Sequence, residues 1–231
     1  MNELDYLKMQ KDQYEHEASR WSLDNRDPVV GSYDAHNAWA DYDTYLFKGF
    51  ETKDKIALEY GCGPGRNLIR FKNRFARIDG VDIAKTNLDK AIINLAAGGV
   101  TDYKLYLCGG KSIPTNDASY DVVFSVICLQ HIACYDIRFS ILKESYRVLK
   151  PGGYLCFQMG FGGRSIRVNS GYYDNSYAAM GTNSAHDVVV LDEKCLVSDL
   201  VGIGFKDYKS DIRPVGPGDS HKNWIWVQVQ K

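Results

Sequence analysis

The sequence has no block of basic residues, no Cys-x-x-Cys pair and no apolar run approaching the length needed to span a bilayer. Lys and Arg number 28 against 29 Asp and Glu, a net charge of −1. The electrostatic footprint that nucleic-acid binding requires is therefore missing. Cys62, Cys108, Cys128, Cys134, Cys156 and Cys195 include several in strand-like apolar runs, which read as buried free thiols of a reducing compartment. Cys128 and Cys134 flank His131 at three residues on each side, but no second ligand cluster accompanies them, so no metal site is expected. The first residues, Met-Asn-Glu-Leu-Asp-Tyr-Leu-Lys, contain no apolar signal region. These absences lead to the expectation of a soluble cytoplasmic protein without nucleic-acid or membrane partners.

What is present is ordinary globular composition: 231 residues, 45% hydrophobic and 25% charged, enough for one domain with a substantial core. The most informative stretch is Ile56-Ala-Leu-Glu-Tyr-Gly-Cys-Gly-Pro-Gly-Arg-Asn67. A short strand-type run leads into three glycines in five positions, and a helix-type pattern begins near Leu68. Gly61, Gly63 and Gly65 allow a sharp turn and close approach of a ligand to the main chain. The following helix would offer its unpaired N–H groups to that ligand.

The spacing discriminates between ligands. A dinucleotide fingerprint wants Gly-x-Gly-x-x-Gly, and its third glycine position is occupied here by Arg66. An NAD-dependent oxidoreductase is thereby disfavoured. The pattern Glu59-x-Gly-x-Gly-x-Gly resembles the first motif of the class I S-adenosylmethionine-dependent methyltransferases. Further motifs follow in the same order: Tyr120-Asp121-Val122-Val123 resembles the family's Phe-Asp-x-Val, and Leu149-Lys150-Pro151-Gly152-Gly153 matches its Leu-Lys-Pro-Gly-Gly turn. The resemblance covers about residues 50–231. It implies an α/β fold: a seven-stranded, mostly parallel Rossmann-like sheet with helices on both faces and an antiparallel C-terminal strand. The alternation of strand and helix patterns from Ile56 onward supports the same class independently.

The residues near the predicted strand ends form the candidate site. Asp82 closes the second strand, 23 residues after Glu59, where a carboxylate can accept from both hydroxyls of a ribose; capping the next helix is its alternative role. The resemblance places Glu59 at the donor's amino group and suggests Arg66 for its carboxylate. The family's acid after the third strand is replaced by Gly110, so the adenine is expected on the backbone of Gly110 and Lys111, with Ile83 and Ile113 packing on it. Cys62, Ser125 and Gln130 complete the expected cofactor contacts. Candidate bases are His131, at the end of the fourth strand, then His36 and His186.

Two segments fall outside the alternating pattern. Residues 1–50 are expected to form a helical arm, with Leu4, Leu7, Tyr14 and Ala18 making contacts, that packs on the domain or closes as a lid over residues 51–231. Residues 160–187 form a tyrosine-rich insertion expected to cover the acceptor, or to form a dimer contact. The expected activity is methyl transfer from S-adenosylmethionine, leaving S-adenosylhomocysteine, to an oxygen or nitrogen of a small polar metabolite such as a sugar, nucleotide-sugar or amine. A non-catalytic donor-binding module is the alternative, and the chain is expected to act as a monomer or homodimer.

Overall fold

The computed structural model describes residues 2–20, 42–162, 168–175, 187–215 and 221–231. After helices α1 (Glu3–Arg20) and α2 (Tyr42–Leu46), strands and helices alternate: β1 (Ile56–Tyr60), α3 (Arg66–Arg70), β2 (Arg77–Asp82), α4 (Lys85–Ala97), β3 (Leu105–Leu107) and β4 (Tyr120–Ser125). Then come α5 (Tyr135–Val148), β5 (Leu149–Phe161), β6 (Val168–Gly171), β7 (Asp187–Val190), α6 (Glu193–Ile203), β8 (Lys206–Pro214) and β9 (Asn223–Gln230).

The main path of the sheet runs β3-β2-β1-β4-β5-β9-β8, parallel from β3 to β5 and antiparallel at β9 and β8. This is the expected seven-stranded sheet. Its inner strands, such as β1, β4 and β9, are buried on both faces, so they read as largely apolar runs, and alternate residues feed two cores. Leu58, Val123, Leu155 and Val227 pack with α5 and α6 on one side. Ala57, Val122, Phe124 and Trp226 pack with α2, α3 and α4 on the other. Phe47, just beyond α2, anchors that second core, meeting Phe71, Phe75 and Phe124 edge-on at 5.2, 5.0 and 5.4 Å.

Two differences from the sequence expectation matter. The Pro151-Gly152-Gly153 turn lies within β5 and not ahead of it. Leu149 pairs with Tyr120, the register then shifts, and Gly152 takes a φ of 79°, so the turn chemistry is absorbed as a bulge. Two strands beyond the seven are also present, β6 within the insertion and β7 beginning at its last residue, Asp187. From Tyr154 to Phe161, β5 is paired along one edge by β9. Its other edge belongs to β4 as far as Phe157. Beyond that point Gly160 and Phe161 pair in parallel with Val189 and Val190 of β7. The β6–β7 ribbon therefore occupies the lane that β4 vacates at Ser125, above the carboxyl edge of the sheet.

Helix α1 packs against the same edge. Tyr6, Leu7, Gln10 and Ala18 are its buried positions, close to a spacing of four along one helix face. Leu4, an expected contact, is 75% exposed. No described helix is long and apolar enough to cross a membrane.

Candidate functional site

The glycine loop follows β1 because the backbone must reverse over the end of β2. Gly61 and Cys62 both donate their N–H to the Val81 carbonyl, at 2.8 and 3.1 Å. Gly61, Gly63 and Gly65 have φ of 75, 52 and 87°, the left-handed region that glycine adopts at little cost. A Cβ on Gly61 would stand 2.4 Å from Cys128 Sγ, so the loop is seated directly on the turn that follows β4.

Beside this loop is a cavity of about 100 Å³. Gly61, Gly63, Asp82, Ile83 and Gly110 line it from the strand ends, as the sequence suggests. Tyr60, Asn87, Ile127, Cys128 and Ile132 add to its walls, and Gln10 and Tyr14 of α1 roof it. Sequence reasoning did not find Gln10 or Tyr6; the recurrence of Tyr6, Gln10, Tyr14 and Ala18 every fourth residue was the available signal.

Asp82 is the best-held polar group in the cavity. Its Oδ2 accepts from the Gly63 amide at 2.9 Å, and its Oδ1 accepts from the Ala84 amide at 2.9 Å and the Asn87 side-chain amide at 3.2 Å. Burial raises its pKa, opposed by those donors. The same carboxylate thus ties the glycine loop to the start of α4.

Other expected cofactor residues stand back from the cavity wall. Glu59 is buried behind the loop, accepting from the Asn67 amide at 2.6 Å. Burial pushes its pKa up to about 8, with Asn67 and the Arg66 charge pulling the other way. The buried Arg66 guanidinium lies 5.7 Å over the Tyr42 ring. Cys62 packs under Gly80. Ser125 ties β4 to β1 by donating to the Tyr60 carbonyl at 2.9 Å. Lys111 pairs with Glu3 of α1, and Ile113 is buried, donating its amide to Glu144 at 2.9 Å.

The turn after β4 is unusual. Ile127 has a φ of 49°, strained for a β-branched residue. Its amide donates to Gln158 Oε1 at 3.0 Å, and Gln158 Nε2 donates to Gln130 Oε1 at 2.9 Å. This amide relay from the centre of β5 fixes the turn and gives Gln130 a structural task. His131 follows, in a 3-10 turn from Leu129 to His131, flanked in space by the cavity residues Cys128 and Ile132. Its Nδ1 is 2.5 Å from Asp187 Oδ1. His36 and His186 lie outside the described residues.

Comparisons with known proteins bear on the fold that carries this geometry. Residues 58–157 match the family described as "Methyltransferase domain". A malonyl-[acyl-carrier protein] O-methyltransferase of Serratia marcescens is 33% identical over 132 residues, 56% of this chain and 48% of that protein. The chain spans about half the length, or less, of the first curated relatives it matches. In fold it is similar to a SAM-dependent methyltransferase from Aquifex aeolicus, with a TM-score of 0.60, 15% identity, and 88% and 98% of the two chains covered. It is also similar to a phosphoethanolamine N-methyltransferase of Haemonchus contortus solved with phosphomonomethylethanolamine and S-adenosylhomocysteine, at a TM-score of 0.68, 16% identity, and 94% and 60% coverage. Residues 58–157 thus carry the match to a methyltransferase domain, and the sheet around them has the fold of solved S-adenosylmethionine-dependent methyltransferases.

Proposed function

We propose that the cavity holds S-adenosylmethionine and that the chain transfers its methyl group to an oxygen or nitrogen of a small polar molecule. The observation that carries this reading is the wall built by Gly61, Gly63, Asp82, Ile83 and Gly110 at the carboxyl edge of a parallel sheet, where open α/β folds bind ligands. The cradle is shaped for close approach: a Cβ on Gly110 would strike Ile83 and Leu7, each at 2.8 Å. Asp82, already ordered by three donors, keeps lone pairs for ribose hydroxyls. Ile83 offers an apolar surface for the adenine. Behind the loop, Arg66 offers a positive charge for the donor's carboxylate, and Glu59 can give up its proton to receive the donor's ammonium group.

The donor supplies an electrophilic methyl group on a sulfonium, and the chain's contribution is alignment and dryness. Gln10 and Tyr14 close the cavity from above. His131, in the turn whose neighbours Cys128 and Ile132 line the cavity, is placed to handle a proton. The relatives act on different acceptors by name, so the acceptor is read from this chain alone. Isothermal titration with S-adenosylmethionine, S-adenosylhomocysteine and NAD tests the reading. Micromolar affinity for the first two and none for NAD is expected; NAD binding alone would overturn it. A donor-binding module without catalysis is the second reading, favoured by the depth to which α1 roofs the cavity. Labelled methyl transfer separates the two.

A further inference from the structure

Three distant stretches of chain converge beside the turn after β4. His131 comes from the turn itself, Asp187 opens β7, and His221 lies just before β9. Asp187 is 5% exposed, and its two oxygens face the two imidazoles: Oδ1 is 2.5 Å from His131 Nδ1, and Oδ2 is 4.0 Å from His221 Nε2. The convergence follows from the sheet. Because β7 takes the lane that β4 leaves, its first residue arrives opposite the turn into which β4 runs. Gly160 leaves room for the third member, since a Cβ there would fall 1.9 Å from the His221 ring.

We propose that Asp187 is the positioning residue for His131, and that the pair equips the site for a hydroxyl acceptor; this deepens the reading above and rests on it. A buried carboxylate is costly unless it is partnered. Here the Asp187 carboxylate accepts from Nδ1–H, which fixes the imidazole in one tautomer and leaves Nε2 as the basic nitrogen. The His131 side chain is 29% exposed, against 0% for His221, so His131 is the member accessible to a substrate. A carboxylate acceptor is already ionised at neutral pH, and a neutral amine attacks through its own lone pair. A hydroxyl oxygen is the acceptor that gains most from a base. In the step, His131 Nε2 takes the hydroxyl proton while the oxygen forms its bond to the donor methyl carbon. The S–C bonding pair stays on sulfur, giving a neutral thioether, and the imidazolium, stabilised by Asp187, returns its proton to water.

Among the described residues, the titratable and charged groups packed about this turn include Asp187 on β7, His221 ahead of β9, Tyr6 and Tyr14 on α1, Cys128 within the turn, and Arg138 of α5, which donates to the Ile132 carbonyl. From β5 it meets the neutral Gln158. The test is side-chain nitrogen NMR of the full chain, paired with calorimetry of S-adenosylhomocysteine binding. Wild-type His131 is expected as the Nδ1–H tautomer with a far-downfield Nδ1 proton. Asp187→Asn is expected to abolish that proton signal and lower the His131 pKa by about 1 unit or more, with S-adenosylhomocysteine affinity unchanged within about twofold. A tautomer and pKa unaltered in Asp187→Asn would overturn the assignment. Failure of the wild type to bind S-adenosylhomocysteine would instead remove the cofactor reading, leaving the NMR result intact as evidence on the pair. Tritiated S-adenosylmethionine incubated with cell extract reads the acceptor class: a methyl ether product supports it, and a methyl amine or methyl ester overturns it.

Discussion

Glu15 of α1 caps a helix that begins 70 residues later: its carboxylate accepts from the Lys85 amide at 2.7 Å and the Thr86 amide at 2.9 Å. Helix α4 has Ala84 at its N-cap position, with no side-chain cap of its own. The roof of the cavity is therefore fastened to the segment that carries Asp82. Further fastenings are the Ala133 amide donating to the Tyr6 hydroxyl at 2.8 Å and the Glu3–Lys111 pair.

Removing this cap should loosen α1 without unfolding the domain. Glu15→Ala is expected to cost about 1 kcal/mol, the usual value of an N-cap, and to raise amide exchange across residues 3–20 more than in β1 or β4. Burial tends to raise the Glu15 pKa, but the hydrogen bonds from Thr86 and Lys85 and the charge of Lys11 outweigh it, and the net shift is downward. The contribution is thus complete above the ordinary glutamate pKa and is lost as pH falls through the lowered value. Exchange in α1 that is insensitive to acidification would contradict this role.

Asp82 organises the cavity through three donors, so its charge matters before any ligand arrives. Asp82→Asn preserves volume but cannot accept from the Gly63 amide, the Ala84 amide and the Asn87 amide alike. Hydrogen bonds to a charged group are worth about 1.5–3 kcal/mol each. S-adenosylhomocysteine affinity measured by calorimetry should fall at least about tenfold, with thermal stability reduced as well. Unchanged affinity would mean that the ribose is held elsewhere.

The strand–helix alternation and the cavity floor were legible because they depend on local signals: buried β-type runs, left-handed glycines and an acid at a strand end. Asp187 was not, because its partnership with His131 arises from a strand exchange at the carboxyl end of β5, 56 residues away in sequence. Nothing in the insertion's composition shows that its opening residues, Gly160 and Phe161, pair with Val189 and Val190 beyond its far end. Gln130 was assigned to the cofactor by position, while its amide in fact answers Gln158 on a neighbouring strand. The α1 roof was half-legible: Tyr14 was noted, but Tyr6 and Gln10 share its face only if the helix is taken as fully formed.

Glu59 makes stability depend on pH near neutrality. The unfolded side chain ionises near 4.5, whereas burial holds the folded group protonated up to about 8. Between these values the folded chain keeps a proton that the unfolded chain has released, so stability falls as pH rises across the window. Glu59→Gln should flatten that slope in denaturant titrations. If the donor's ammonium group settles beside Glu59, binding near pH 7 will also release a proton, visible as a dependence of the calorimetric heat on buffer ionisation. A wild-type slope equal to that of Glu59→Gln would place the carboxylate in a less apolar setting.

Gly61 carries two separable constraints that a double-mutant cycle can divide. Its φ of 75° disfavours any side chain, and a Cβ would meet Cys128 Sγ at 2.4 Å and Cys128 Cβ at 2.8 Å. The left-handed conformation alone costs a non-glycine residue about 1–2 kcal/mol; the collision adds to that because both atoms belong to a packed turn held by Gln158. Gly61→Ala should therefore destabilise by more than the backbone cost. Cys128→Gly in the same chain should restore the excess and leave only the conformational part. The two changes will then be non-additive, as expected for residues in contact. Strict additivity would show that the glycine loop and the turn bearing His131 are not seated on each other, and that donor and base are positioned independently.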